Sequence, residues 1–420
     1  MIRLFIAALA LLFQPAAAHA QDLAMLDQRA ADVAAVFSGE AAYADVFAPP
    51  FVAAVPEDQF EALKARLAAQ VGEFVGLEGL EPGSTPGSGQ IFLRFANAIV
   101  SGPIQLESAA PYRVAGLLLN DVAAIDDSGL TALEQVQALP GTTSMLFARI
   151  DGSEVLASHN PQAQMAVGST FKLYVLSALA QSIARGERQW DDVVPLTERS
   201  FPSGQLQSWP QGAPLTLHSL ASLMISISDN TATDQLIAVL GREAVEAELV
   251  ASGHSDPAAA LPFMTTREMF LLKLGTDEGL QAYAAAPEDQ RRTTLAGLQN
   301  SELDMADIQR VFAAGPRFID IEWFASAEDI ARIYARLAED DVAREILAIN
   351  LGIDRARFVG WDYVGYKGGS EPGVLNFSWL LRDAGEYWLL AMTWNDPATT
   401  LSEMQFLALA QAALAERTAP

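Results

Sequence analysis

The feature that most constrains the fold is the placement of strand-like segments at both ends of a long helical region. Strand-like segments lie at 145–150, 154–159, 363–367, 374–382 and 387–393. Helical periodicity dominates 169–344 between them, and further helices are predicted at 131–139 and 401–416. We therefore expect one antiparallel sheet built from both ends of this region and covered by the helices between them.

A separate small domain is predicted before this region. The pattern is helical from 23 to about 69, with breaks at Pro49, Pro50 and Pro56. Turn residues fill 81–89, and strand patterns follow at 91–95 and 112–119. Single cores stop growing near about 250–300 residues, so a chain of 420 residues favours two domains. We predict a small α+β domain at 21–128 and a larger one at 129–420.

The first 20 residues have the pattern of a secretory signal. Arg3 precedes an apolar run at 4–13, and Ala18-His19-Ala20 precedes Gln21. An uncleaved anchor is the alternative, but ten apolar residues are too few to span a bilayer. We predict cleavage after Ala20, no integral membrane segment in the mature chain, and a periplasmic or secreted location.

Composition narrows the chemistry. The formal charge is −26, which argues against nucleic acid and anionic membrane surfaces as partners. Cysteine is absent, and no two of the four histidines have the spacing of a helical metal pair, so neither a metal nor another cofactor is expected. A Ser–His–Asp hydrolase has little support because the chain has no G-x-S-x-G motif. The sequence leaves the oligomeric state open.

Three short motifs carry the reactive residues. Ser169 and Lys172 are three residues apart at a predicted helix start, so a hydroxyl and an amine can meet on one face. If burial and a neighbouring cation neutralise that amine, it can remove the proton of the hydroxyl. The triplet Ser228-Asp229-Asn230 lies between two helical runs, and Lys367-Gly368-Gly369-Ser370 lies on a strand. Each motif alone also fits a helix start, a cap or a β-turn.

In the order S-x-x-K, S-D-N and K-x-G, the three motifs resemble those of the penicillin-recognising serine enzymes, including class A β-lactamases. The resemblance runs from about 131 to the C-terminus and includes the segment ISISDNTATDQLI. It implies an α+β fold, in which a class A β-lactamase/transpeptidase-like domain combines an antiparallel sheet with a helical lobe. The layout is similar to a two-domain subgroup whose N-terminal α+β domain is cystatin/steroid-isomerase-like, a likeness of fold only.

The resemblance also implies a role for each matching position. Ser169 would be the acylated nucleophile and Lys172 its base, while Ser228 would relay a proton to the leaving nitrogen. Lys367 would face the substrate carboxylate and Ser228. The remaining implied contacts with substrate belong to the side chain of Asn230, to Gly369 at the strand edge, and to the backbone amide of Ser370, which would form an oxyanion hole with that of Ser169.

This sequence departs from the family pattern in three ways. The segment 251–264 has no E-x-x-L-N motif and no glutamate, so the usual deacylating base is missing. Glu371 and Glu268 are replacement candidates, although each is better interpreted as a surface or capping residue. Gly368 lacks the hydroxyl that would contact a substrate carboxylate, which Ser370 could replace, and 276–318 is an insertion.

The functional prediction is an exported serine hydrolase of the β-lactamase type. It would form an acyl-enzyme at Ser169 with a small-molecule β-lactam or a related amide or ester. An esterase, or a D-alanyl peptidase-like enzyme acting on cell-wall peptides, is the nearest alternative. The missing glutamate also leaves open a penicillin-binding sensor that is acylated and stalls, and a binding module is a further possibility.

Overall fold

The computed structural model describes residues 14–125, 129–299 and 301–418. They form two compact units. The first contains the described residues up to Gly129 together with Ser402–Ala412, and the second contains Leu130–Leu401 and the described residues from Ala413 onward. The first 13 residues of the predicted leader lie outside the described residues, so cleavage after Ala20 stays a prediction. No helix in the described part of the chain combines the length and apolarity needed to cross a membrane.

The first unit has helices followed by an antiparallel sheet. Its helices are α1 (Gln14–Ser38), α2 (Tyr43–Val46), α3 (Pro49–Ala54) and α4 (Glu57–Val71). Its strands are β1 (Phe74–Pro82), β2 (Ser88–Phe95), β3 (Ala98–Leu106), β4 (Val114–Leu117) and β5 (Asp121–Ala124). The strand order is β1-β2-β3-β4, with β5 also paired to β3. The predicted α+β arrangement is therefore confirmed.

Alternation along β2 builds the core of this unit. Ile91, Leu93 and Phe95 are buried on one face of β2, where they join Phe60 of α4. Ala408, from the last helix of the chain, belongs to the same apolar cluster. The sequence analysis assigned that helix entirely to the larger domain. A local pattern predicts a helix but does not show which core the helix joins.

The second unit is built on one five-stranded antiparallel sheet. Its strands are β6 (Thr142–Arg149), β7 (Val155–His159), β12 (Tyr363–Glu371), β13 (Val374–Asp383) and β14 (Glu386–Asn395). Short pairs are formed by β8 (Met165–Ala166) with β11 (Phe324–Ala325) and by β9 (Val193–Pro195) with β10 (Pro214–Thr216). The sheet order β12-β13-β14-β6-β7 joins strands from both ends of the region, as predicted, and leaves β12 at one edge.

Helices fill the sequence between those strands and close the chain. The helices of this unit are α5 (Ala132–Ala138), α6 (Lys172–Ala184), α7 (Leu217–Ser226), α8 (Asn230–Leu240), α9 (Arg242–Ala251), α10 (Thr266–Lys273), α11 (Asp277–Ala285), α12 (Glu288–Gly297), α13 (Met305–Phe312), α14 (Ala327–Leu337), α15 (Asp341–Leu347) and α16 (Glu403–Thr418), whose residues 403–412 belong to the first unit. The predicted caps at Thr265 and Ser326 are both capping boxes, with Glu268 and Asp329 as partners. Helices α11 to α13 account for most of the insertion.

Candidate active site

Ser169 lies in a one-turn 3-10 helix, Gly168–Phe171, that leads directly into α6 at Lys172. This turn is tied to the sheet because the hydroxyl of Thr170 donates to Asn376 Oδ1 over 2.7 Å. Asn376 lies on β13, and both side chains are buried. The predicted nucleophile therefore begins a helix whose first turn is bonded to the sheet. Nothing in the sequence pattern pointed to Asn376.

The edge strand β12 approaches the turn that carries Ser169 more closely than a side chain would allow. A Cβ added to Gly369 would overlap Val167 O and the amide nitrogen of Ser169. A Cβ added to Gly168, which has a φ of +50°, would lie 3.1 Å from the amide nitrogen of Ser370. The close contact between β12 and this turn therefore depends on Gly168 and Gly369. The backbone amides of Ser169 and Ser370, predicted for the oxyanion hole, follow these two glycines directly.

Lys172 is fully buried, and its amine contacts Ser169, Ser228 and Asn230. Its Nζ lies 3.2 Å from Ser169 Oγ and 2.9 Å from Ser228 Oγ. It also lies 2.7 Å from both Ser228 O and Asn230 Oδ1. Those two carbonyl oxygens can only accept, so they take two N–H groups of the amine. A neutral amine then keeps its lone pair for a hydroxyl, and the two serine hydroxyls are within reach.

Electrostatics favour this neutral form of Lys172. Burial and, to a smaller extent, the charge of Lys367 lower the pKa of Lys172 well below its usual value, while Asp234 and Asp229 oppose the shift. No acidic side chain in the described residues lies within ion-pair distance of its Nζ. The amine can therefore act as a base without first losing a salt bridge.

The S-D-N motif is held by its aspartate in a conformation that serine rarely adopts. Asp229 caps α8 through the Ala232 amide, and its other oxygen accepts from the amides of Gln205 and Leu206. The preceding residue, Ser228, has a φ of +56°, a left-handed conformation that costs about 1–3 kcal/mol. The helix cap that the sequence predicted at this triplet is therefore formed by Asp229, directly after Ser228.

Lys367 approaches the same hydroxyl from the sheet. Its Nζ lies 3.2 Å from Ser228 Oγ and also donates to Gly368 O. Burial lowers the pKa of Lys367 to about 7, so this amine is partly neutral near pH 7. The structure therefore brings Ser169, Lys172, Ser228 and Lys367 into one connected group, with Ser228 between the two amines.

Asn230 and Ser370 complete the set of predicted site residues. Asn230 accepts from Lys172 through Oδ1 and donates through Nδ2 to Phe201 O over 2.9 Å, which fixes its amide orientation. Ser370 is exposed at the end of β12, next to Gly369. Both residues therefore border the group formed by the two amines and two hydroxyls.

The two candidate replacement glutamates are paired with other residues and do not contact Ser169, Lys172 or Ser228. Glu268 is the partner of Thr265 in the capping box of α10 and pairs with Arg242 at 2.6 Å, as the capping interpretation predicted. Glu371 is neither a surface nor a capping residue, so that expectation was wrong. Its side chain is buried and forms a short ion pair with Lys273, which also pairs with Glu322. In a strongly acidic sequence, the local pattern does not distinguish a buried glutamate on a strand from an exposed one.

The three histidines at 159, 218 and 254 lie outside the group formed by the predicted site residues. Within the described ranges, no group of three or more His, Cys, Asp or Glu side chains could hold a metal ion. His254 is buried, and its Nε2 lies 2.9 Å from Phe324 O, a carbonyl to which it can only donate. His159 and His218 contact Asn160 and Ser222, respectively, rather than any of the predicted site residues.

Comparison with known proteins places the chain in a family. The model of the family described as the beta-lactamase enzyme family matches residues 128–347, which is just over half of the chain and includes the first two motifs. No curated protein matches.

Similar solved structures include beta-lactamases from two organisms. The protein from Sphaerobacter thermophilus DSM 20745 is 22% identical with a TM-score of 0.47, over 69% of this chain and 97% of that one. The protein from Chitinophaga pinensis DSM 2588 is 14% identical with a TM-score of 0.46, over 69% and 98%. PBP-A is 16% identical with a TM-score of 0.41, over 69% and 95%. On the family match, the chain belongs to the beta-lactamase enzyme family.

Proposed function

We propose that the protein is an exported serine hydrolase that forms an acyl-enzyme at Ser169 with a β-lactam or a related amide or ester. The observation that carries the proposal is the amine of Lys172, which is buried, unpaired with any described acid, and 3.2 Å from Ser169 Oγ. Export rests on the signal-like residues 1–20, and we propose a periplasmic or secreted location for the mature chain.

Acylation follows from these contacts. Neutral Lys172 takes the Ser169 proton as Oγ attacks the carbonyl carbon of the substrate. The amides of Ser169 and Ser370 donate to the oxyanion, which is the charge that develops in the transition state. As the C–N or C–O bond breaks, the proton passes from Lys172 through the Ser228 hydroxyl to the leaving atom, because Ser228 Oγ is 2.9 Å from Lys172 Nζ. Asn230 holds the amine in place throughout.

Deacylation would proceed without a glutamate base. Among the described residues no glutamate contacts Ser169, Lys172 or Ser228, and the two candidate glutamates are held in other pairs. Lys172, neutral again once the leaving group departs, is the available base for a water molecule. This favours slow turnover, and a penicillin-binding sensor that stalls as the acyl-enzyme is therefore the second candidate function.

Intact-mass kinetics tests both candidates. The purified protein is mixed with benzylpenicillin, an acetoxy cephalosporin or a simple aryl ester, and wild type is compared with Ser169→Ala and Lys172→Met. We expect a covalent adduct in wild type, none in Ser169→Ala, and a rate lower by about 10²–10⁴-fold in Lys172→Met, because a positioned base contributes about that much. Lys64→Met is the control, since Lys64 lies in the first unit and pairs with Glu61.

The fate of the adduct distinguishes the functions. An acyl-enzyme that is hydrolysed, with turnover of the β-lactam, indicates a β-lactamase, whereas an acyl-enzyme that persists indicates a sensor. Turnover of the ester alone indicates an esterase. An adduct that forms equally fast in Ser169→Ala would refute the proposed nucleophile, and unchanged kinetics in Lys172→Met would refute the proposed base.

A further inference from the structure

Lys273 is a buried lysine that belongs to none of the three motifs. It lies at the C-terminal end of α10, and its side chain is fully buried. Its ammonium pairs with the carboxylate of Glu322 at 3.4 Å and with that of Glu371 in a shorter contact. Both glutamate side chains are more than nine-tenths buried. These three residues, the Lys273 cluster, therefore join three separate segments of the second unit through buried polar groups.

Glu371 connects the Lys273 cluster to the strand that carries one of the two oxyanion amides. It follows Ser370 directly, at the end of β12. Side chains alternate along a strand, so Glu371 lies on the same face of β12 as Gly369, the residue that contacts the turn of Ser169. The bond from Lys273 to Glu371 therefore holds the end of β12 at the residue next to the Ser370 amide.

Glu322 connects the Lys273 cluster to the turn that carries the other amide. The next residue, Trp323, accepts from the Val167 amide over 3.0 Å through its carbonyl oxygen. The ring of Trp323 stacks on that of Phe171, with centroids 3.7 Å apart and planes at 11°. Val167 and Phe171 lie on either side of Ser169 in the chain. The residue after Glu322 therefore contacts the turn both before and after the nucleophile.

The Lys273 cluster can be electrically neutral. One ammonium and two carboxyl groups carry no net charge when one of the acids keeps its proton. Burial raises the pKa of Glu371 well above its usual value, against the opposing charge of Lys273, and the charge of Glu322 adds to the rise. Glu371 can thus accept from Lys273 as a neutral carboxyl group, while Glu322 supplies the counter-charge.

We propose that Lys273 is a positioning residue that, by binding Glu322 and Glu371 together, sets the separation between the backbone amides of Ser169 and Ser370. The inference rests on the proposed function and adds to it residues that do not touch the substrate. An oxyanion is stabilised only if both amides reach the same oxygen atom, so a change in the separation of the two segments weakens catalysis. It also gives Glu371 a role other than that of a base.

The test removes one bond of the Lys273 cluster without leaving a buried charge unpaired. In Glu371→Met the ammonium keeps Glu322 as its partner. Acylation is measured with whichever of benzylpenicillin, the acetoxy cephalosporin and the aryl ester acylates wild type fastest. We expect the limiting rate constant to fall by about 10–100-fold, because displacements approaching about 1 Å cost about 10²-fold. The dissociation constant of the compound should change little, because the two amides act on the transition state.

An infrared measurement reports on the two amides directly. Hydrogen bonds to the acyl carbonyl oxygen lower the stretching frequency of the carbonyl group, so amides that have moved apart should raise it. We expect a higher carbonyl frequency in the acyl-enzyme of Glu371→Met than in that of wild type. Loss of folded protein changes the intensity of this band but not its position, which distinguishes positioning from general damage.

Three variants provide the comparisons. Glu371→Gln keeps a neutral side-chain oxygen that can accept from Lys273, so its limiting rate constant and carbonyl frequency should stay close to those of wild type. Glu322→Met opens the Lys273 cluster from its other end and should reproduce both changes, which keeps the test decisive if Glu371→Met does not fold. Glu248→Met removes a similarly buried glutamate that pairs with Arg336 on α14, and both readouts should match wild type.

The outcomes separate this inference from the proposed function. A wild-type limiting rate constant and carbonyl frequency in folded Glu371→Met or Glu322→Met would overturn the positioning role and leave the acyl-enzyme standing. A change in the dissociation constant alone would do the same, as would an equal loss in Glu371→Gln or in Glu248→Met. No adduct in wild type with any of the three compounds would overturn the proposed function and this inference with it.

Discussion

The Lys367→Met substitution should raise the free energy of unfolding of the second unit at neutral pH, and this stabilisation should disappear at alkaline pH. Burial lowers the pKa of Lys367 from 10.5 to about 7, so the folded state disfavours the ammonium that the unfolded chain carries. Between these two values the unfolded state binds more protons than the folded state. The contribution of Lys367 to stability therefore rises with pH from about 7 to about 10.5, and is least favourable below pH 7.

The size of the effect follows from the shift. The ionisation penalty of Lys367 is about 5 kcal/mol at pH 6, about 3 kcal/mol at pH 8 and about 1 kcal/mol at pH 10. Methionine removes this penalty but also removes the contacts with Ser228 Oγ and Gly368 O, at about 1 kcal/mol each. The variant should then be more stable than wild type by about 3 kcal/mol at pH 6, and less stable by about 1 kcal/mol at pH 10.

Urea denaturation followed by tryptophan fluorescence measures this difference. All seven tryptophans lie between 190 and 394, so the signal reports the second unit alone. Free energies of unfolding are compared at pH 6, 8 and 10, with Lys64→Met as control. A stability difference between Lys367→Met and wild type that stays constant over this range would show that burial does not penalise the charge of Lys367.

Two further predictions concern acylation by benzylpenicillin. In wild type the acylation rate should fall as the pH falls through the lowered pKa of Lys172, because the ammonium cannot accept a proton. The Lys367→Met substitution removes a positive charge and so raises the pKa of Lys172. In this variant the fall in rate should therefore occur at higher pH. Stopped-flow pH profiles measure it, and a shift to lower pH would contradict the assignment. Gly369→Ala should slow acylation by about 10²-fold or more, because its Cβ separates β12 from the Ser169 turn and misplaces the oxyanion amides. Gly297→Ala, with open space around its Cβ, should acylate at the wild-type rate, and equal rates in both variants would refute the contact.

Local patterns predicted the elements well. The sheet strands, the helical region between them and both capping boxes follow from periodicity and from side chains that bond within one turn. The core to which Ala408 belongs did not follow, and neither did the burial of Glu371, because both depend on contacts with residues distant in sequence. The absence of a glutamate from 251–264 is read directly from the sequence, whereas the positions of Glu268 and Glu371 required coordinates.

The sequence by itself determined which residue types are available and their order: a serine one turn before a lysine, an S-D-N triplet, and a lysine beside two glycines. Only the tertiary structure decided that these groups meet. Ser228 Oγ lies 2.9 Å from Lys172 Nζ although 56 residues separate the two in sequence. The approach of β12 to Ser169 depends on the glycine contact between β12 and the turn 168–171. The pKa values of Lys172 and Lys367 also depend on the fold. Folding removes water from both amines and brings both within hydrogen-bonding distance of the Ser228 hydroxyl. Burial and distance set the two pKa shifts, and neither is a property of the linear chain.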